Sequence, residues 1–185
     1  MSAKSPTDDR ETRRVLFEAG HRLADHALNE LTPAIIAGEA GLSEASFNVC
    51  FPNMQEYFFA LHQYFLSMIL KQVVSSLSGL PPGAERLQAG IKAFLDGCLQ
   101  HHGLRQLLLQ MDSSPQLAEV AHKRRKAFME MLRLEFKSAG SLHSEAAARL
   151  FRVMVEETAL AELEAWTEMP QLRHILWKFL RADAW

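Results

Sequence analysis

Few residues of this 185-residue chain sit at spacings that could do covalent chemistry. Cys98-x-x-His101-His102 has the reach to hold a metal from one helix end, but no second Cys/His cluster stands near it in sequence to complete a tetrahedral site. Cys98 therefore reads as a small core residue, and the two histidines as a polar helix terminus. Glu156-Glu157 is an acidic pair on a helix with the composition of a solvated flank. A nucleophile elbow, a Walker loop, a dinucleotide fingerprint and a zinc-protease His pair are all missing from the sequence. An enzyme is not expected, and no cofactor or metal is implied. A different chemistry is written in Ser43, Glu44, Ala45, Ser46 and Asn48. These are short side chains at helical spacing, mostly polar, of the kind that meet base edges and phosphates.

Such side chains need a scaffold, and the surrounding sequence provides one. Thr32 is a good N-cap residue before Pro33 at the first helical position, so a short helix starts there. It ends at Ala40-Gly41-Leu42, where Gly41 can take the positive φ that closes a helix. Ser43 caps a second short helix, which ends near Phe51-Pro52. Thr32 to Cys50 is thus a helix-turn-helix candidate. Ile35, Ile36, Ala40, Leu42 and Phe47 are expected to form its buried wedge, with Ala37 small at the crossing. A preceding helix spans about Asp8 to Leu28, with Val15, Leu16, Ala19, Leu23 and Ala27 on one stripe. Asn53 caps a long following helix, with Glu56 in capping-box position. That helix is apolar almost all round from Tyr57 to Leu70, so it is expected to be covered on more than one side and to link two modules.

Gly79-Leu80-Pro81-Pro82-Gly83 is the clearest break in the chain. Beyond it, Leu87, Ile91, Phe94, Leu95 and Cys98 stripe a helix that runs to His101-His102-Gly103, and a short apolar piece, Leu104 to Met111, follows. Helices are then expected from Ser114-Pro115 to about Ser138, from Gly140-Ser141 to about Thr167, and from Pro170 to the end. The fold class is all-α. A helix-turn-helix DNA-binding domain is expected over residues 1–52, a linking helix over 53–78, and a larger helical domain over 79–185.

At 48% hydrophobic and 23% charged, the chain has apolar material for a core, which excludes intrinsic disorder. Two cysteines form no disulfide framework and suit a reducing compartment. Met1 to Asp9 lacks the apolar centre of a secretory signal, and no stretch approaches the ~18 apolar residues of a membrane span. A soluble cytoplasmic protein with no membrane partner is expected. Residues 1–60 carry five basic and nine acidic side chains, with Lys4, Arg10, Arg13 and Arg14 gathered at the start as a candidate basic arm. Lys123-Arg124-Arg125-Lys126 spreads over a full helical turn and reads as a solvated face.

Residues 14–61 resemble the N-terminal domain of the TetR family of bacterial transcriptional regulators. The elements that match are Val15-Leu16-Phe17-Glu18-Ala19, Leu31 to Ala37, Ala40-Gly41-Leu42-Ser43, Phe47 and Phe51-Pro52-Asn53, in order and without a gap. The resemblance implies a dimeric repressor that binds a palindromic double-stranded DNA operator and is released by a small apolar or amphipathic effector. The DNA-facing set is then Arg10, Arg13, Arg14, Thr32, Ser43, Glu44, Ala45, Ser46, Asn48 and Asn53. This chain departs from the family at four positions. Glu44 stands where a basic residue is frequent, Asn48 where a tyrosine is, Cys50 where a histidine is, and Met54 where a lysine is. A carboxylate repels phosphate, so DNA binding that is weaker, or aimed at an unusual sequence, is implied, and the alternative is a ligand-binding or protein-interaction module of this fold.

The larger domain carries two further expectations. An apolar excess suggests an effector cavity lined by Phe94, Cys98, His101, Phe128, Leu132, Phe151, Met154, Val155, Thr158 and Trp166. The face Leu172, Ile175, Leu176, Phe179 and Leu180 is too apolar to leave bare on a terminal helix. Homodimerisation through the last two helices, 142–167 and 170–183, as a four-helix bundle follows from that.

Overall fold

The computed structural model describes residues 6–110 and 115–181, so Lys4, Met111 and the end of the expected final helix lie outside the described residues. Among these residues all regular structure is helical, in agreement with the all-α expectation. The elements are α1 (Pro6–Arg22), a 3₁₀ turn (Leu28–Glu30), α2 (Pro33–Glu39), α3 (Glu44–Cys50), α4 (Met54–Ser76), α5 (Ala84–Gln100), α6 (His102–Leu109), α7 (Pro115–Ser138), α8 (Ser144–Ala165) and α9 (Pro170–Arg181). The chain divides into two compact units, Met1–Ser67 with Gly103–Ser113, and Met68–His102 with Ser114–Trp185. The boundary falls inside α4, and α6 goes with the first unit.

In the first unit α1 packs on α2 and α3. Leu16, Ala19 and Leu23 are buried as the stripe requires, but α1 stops at Arg22 rather than near Leu28. Beyond Arg22 the backbone tightens, with Ala24 N–H donating to His21 O and His26 N–H to Leu23 O. The 3₁₀ turn then begins, its capping Ala27 N–H held by the Glu30 carboxylate at 3.2 Å. Ala27 is exposed, so it leaves the expected stripe. Tyr57 anchors α4: its ring is fully buried and its hydroxyl donates to Leu16 O at 2.9 Å. Burial pushes that phenol above its ordinary pKa, so it stays a neutral donor.

In the second unit α5, α7, α8 and α9 enclose one core that includes Leu87, Ile91, Leu95, Leu132, Phe136, Phe151, Val155, Leu176 and Leu180. The start of α5 is capped from outside its own sequence. Buried Glu135 of α7 accepts from Gly83 N–H at 2.7 Å and from Arg86 Nε at 2.8 Å. A carboxylate there satisfies a free amide and complements the positive end of the helix. A second buried charge ties α5, α8 and α9 together. Arg173, 3% exposed, donates to both oxygens of Glu162 at 2.6 and 2.9 Å and to Asp96 Oδ1 at 2.5 Å.

Candidate nucleic-acid interface

The helix-turn-helix is built as its residues require. Thr32 Oγ1 accepts from Ile35 N–H at 3.3 Å and starts α2. Gly41 takes φ +68, a left-handed value that suits a residue without Cβ, and Leu42 N–H returns to Ala37 O at 2.8 Å. Ser43 Oγ then accepts from Ser46 N–H at 3.2 Å and starts α3. Ile36, Ala37 and Phe47 are buried between the helices as expected. Ile35 is 43% exposed, so it belongs outside the wedge, and Ala40 and Leu42 are only half-buried. Helix α2 has just seven residues, so it can turn only a narrow face inward, and the buried face falls on Ile36 and Ala37. Phe51, 1% exposed, completes the core by meeting Phe47 at 5.5 Å and Tyr57 at 5.1 Å between ring centres.

The outer face of α3 presents Ser43, Glu44, Ala45 and Asn48, all exposed. Ser46 is half-buried, with its hydroxyl 2.9 Å from that of Ser43. Val49, missed in the sequence reading, is 67% exposed on the same helix. An apolar side chain held out in water there suits contact with a thymine methyl. Its signal was present in the period of α3, where Phe47 inward leaves Val49 outward. Asn53 spends its carbonyl as the cap of α4, accepting from Glu56 N–H at 2.9 Å.

The basic residues of this unit are largely engaged. Arg14 lies between two carboxylates of its own helix, donating to Glu11 and to Glu18. Those partners, Glu11 first, raise the Arg14 pKa further, and the Arg14 hydrogen bond lowers that of Glu11. Arg22 pairs with Glu39 at 2.5 Å. Arg13 sits over the Phe51 ring, 4.6 Å from its centre. Arg10 is exposed.

The residues expected around an effector all lie in the second unit, and they differ in exposure. Leu132, Phe151 and Val155 are core residues, and Phe94, Phe128 and Met154 pack against that core while partly buried. Phe151 lies between Phe136 and Phe179, at 5.6 and 5.7 Å. Cys98 is buried, and the Thr158 hydroxyl donates to Met154 O at 2.8 Å, within its own helix. His101 ends α5 and is half-buried. Trp166 ends α8 in a left-handed conformation, φ +53, and is 53% exposed against the ring of His102. A cavity of about 210 Å³ lies elsewhere in this unit, along α9, and is lined by Lys92, Glu168, Pro170, Arg173, His174 and Trp177. Among the described residues no group of three His, Cys, Asp or Glu could hold a metal ion, and no helix is long and apolar enough to cross a membrane.

No protein-family model and no curated protein matches the chain. Solved structures do. A TetR-like transcriptional regulator from Rhodococcus sp. RHA1 superposes with a TM-score of 0.74 at 15% identity, covering 96% of each chain. The fatty acid degradation regulator FadR from Bacillus halodurans gives 0.74 at 14% identity over 99% of this chain and 98% of its own. NalD, the secondary repressor of the MexAB-OprM multidrug efflux pump in Pseudomonas aeruginosa, gives 0.65 at 19% identity over 97% and 100%. The similarity runs the full length of both partners in each case, through the helix-turn-helix and the larger helical unit alike. The chain has the all-α fold of TetR-type transcriptional regulators.

Proposed function

We propose that this protein is a DNA-binding transcriptional repressor of the TetR type, acting as a homodimer and released by a small apolar or amphipathic effector. The observation that carries the reading is the helix-turn-helix with its outward α3 face. Ser43, Glu44, Ala45, Asn48 and Val49 project from a short helix whose other side is fixed by Phe47. A helix so presented fits the major groove, with Asn48 able to pair bidentately with adenine. The N–H groups at the starts of α2, α3 and α4, near Thr32, Ser43 and Asn53, and the charges of Arg10 and Arg13 would hold phosphates. A gel shift with the DNA flanking the protein's own gene, at low and at physiological salt, tests this.

A second reading has its own support. Arg14 and Arg22 are paired with carboxylates, and Glu44 is exposed on α3. A protein of this fold with weakened DNA binding would look the same, and the same gel shift separates the two.

The dimer reading changes its footing. Leu176 and Leu180 are buried within the protomer, Leu172 and Phe179 are half-buried, and only Ile175 of that face is exposed, at 52%. The outward apolar residues are instead on α8, where Leu150, Val153 and Leu160 are 61, 53 and 40% exposed. These, with Ile175, are the proposed contacts of the α8–α9 pair with its twofold mate. The proposed effector site is among Phe94, Phe128, Met154 and their neighbours, where partly buried apolar side chains could part to admit a guest. A ligand preferring the non-DNA state by about 100-fold would supply about 2.7 kcal/mol per site.

A further inference from the structure

A groove of about 520 Å³ runs between α1 and α4 within the first unit, and of its lining the proposed function uses only Arg13. Its α4 wall is one helical stripe that includes Glu56, Phe59 and Gln63 with Tyr64, and its α1 wall is Arg13 and Phe17 one turn apart. Phe17 and Tyr64 are stacked at 5.0 Å and, like Phe59, half-buried, so the groove has an aromatic lining. Each wall carries a charge, one cationic and one anionic. Arg13 is held by Phe51 rather than by a carboxylate, while Glu56 is exposed in the first turn of α4. Two turns along α4, about 10 Å by helical rise, stands the Gln63 carboxamide. Its Nε2 is shut from solvent and has no hydrogen-bond partner among the described residues, so one donor of that carboxamide is left unsatisfied.

We propose that this groove binds an aromatic α-amino acid. Its carboxylate would meet Arg13, its ammonium Glu56, its ring Phe17, Phe59 and Tyr64, and a polar atom at the far end of the ring Gln63. A cation and an anion facing the same groove from its two walls favour a zwitterion over a simple acid or amine, each of which would leave one charge unanswered. The aromatic lining selects a planar ring. An acceptor at the far end lets the carboxamide turn and make the bond it lacks, so L-tyrosine should bind more tightly than L-phenylalanine.

Calorimetric titration of the full chain without DNA tests the site apart from the repressor reading, which the gel shift tests. L-Tyrosine is expected to bind at or below about 1 mM, in line with ordinary efficiency for about thirteen non-hydrogen atoms. L-Phenylalanine should bind more weakly, and tyramine and 4-hydroxyphenylacetate at least about tenfold more weakly. Gln63→Leu should remove the preference for tyrosine over phenylalanine. Arg13→Gln should bring L-tyrosine down to the level of tyramine. No heat with L-tyrosine up to saturation, or equal affinity for all four compounds, would overturn the proposal on the wild-type protein alone.

Discussion

At Gly20 a single added methyl group would collide with the hydroxyl of Tyr57 and press on Leu61 at 3.2 Å. Gly20→Ala is therefore expected to cost about 1–3 kcal/mol of stability, read as a lower urea midpoint at unchanged slope. In a Tyr57→Phe background, which itself gives up about 1 kcal/mol with its hydrogen bond, most of the added cost should vanish. Additive losses would mean that the hydroxyl is not the obstacle. Arg173 is the other telling residue. Replacing it with Met leaves Glu162 buried without its cation and should cost about 3–5 kcal/mol. Asp96 shares this network. Burial pushes its pKa up, but the hydrogen bonds from Lys92 and Arg173 and their charges outweigh that and hold it below the usual carboxylate range. A lowered folded value means a contribution fully present above the unfolded value, near 3.9, and lost as pH falls through the folded one. Asp96→Asn should accordingly flatten the acid end of the stability profile, measured by urea unfolding from pH 7 to 3. A profile unchanged in shape would remove Asp96 from that role. None of this was legible in sequence. Glu162 and Asp96 stand 11 and 77 residues from Arg173, and only helix packing brings them to it.

At the scale of elements, local signals worked where the chemistry is local. Thr32, Ser43 and Asn53 each cap the helix that follows them, because a short side-chain acceptor three residues before a free N–H suffices. The end of α1 was misplaced because Leu23 and Ala27 continue its apolar period after the backbone has left the helix. The cap of α5 was invisible, since Gly83 has no side chain and its acceptor, Glu135, comes from α7. Glu135→Gln keeps the shape but weakens both bonds, and a loss of about 1.5–3 kcal/mol is expected in thermal or urea unfolding. On α3 the decisive residue is Glu44. Glu44→Lys should tighten binding to specific and non-specific DNA alike and steepen the salt dependence by about one to two units, measured by fluorescence anisotropy. Unchanged or weaker binding would place Glu44 on a base instead, with cytosine N4 the fitting donor.

Over the whole molecule, the order and type of the helices followed from periodicity and punctuation, and the full-length match to solved regulators agrees with that reading. What the sequence could not convey was which apolar residues stay outside. Leu176 and Ile175 are adjacent on α9, yet one is buried in the core and the other is half-exposed. The proposed dimer therefore rests chiefly on α8, and Leu150→Glu with Val153→Glu should turn a micromolar dimer into a monomer in sedimentation velocity without loss of helix content. The proposal that a homodimer of this chain reads DNA through α3 meets its most direct test in a nuclease footprint on the DNA flanking its gene, at about 50–200 mM salt. The account predicts one protected, twofold-symmetric site whose half-sites lie about one helical turn or more apart, and its loss with Asn48→Ala. Uniform cleavage at micromolar protein, at low salt, would contradict it.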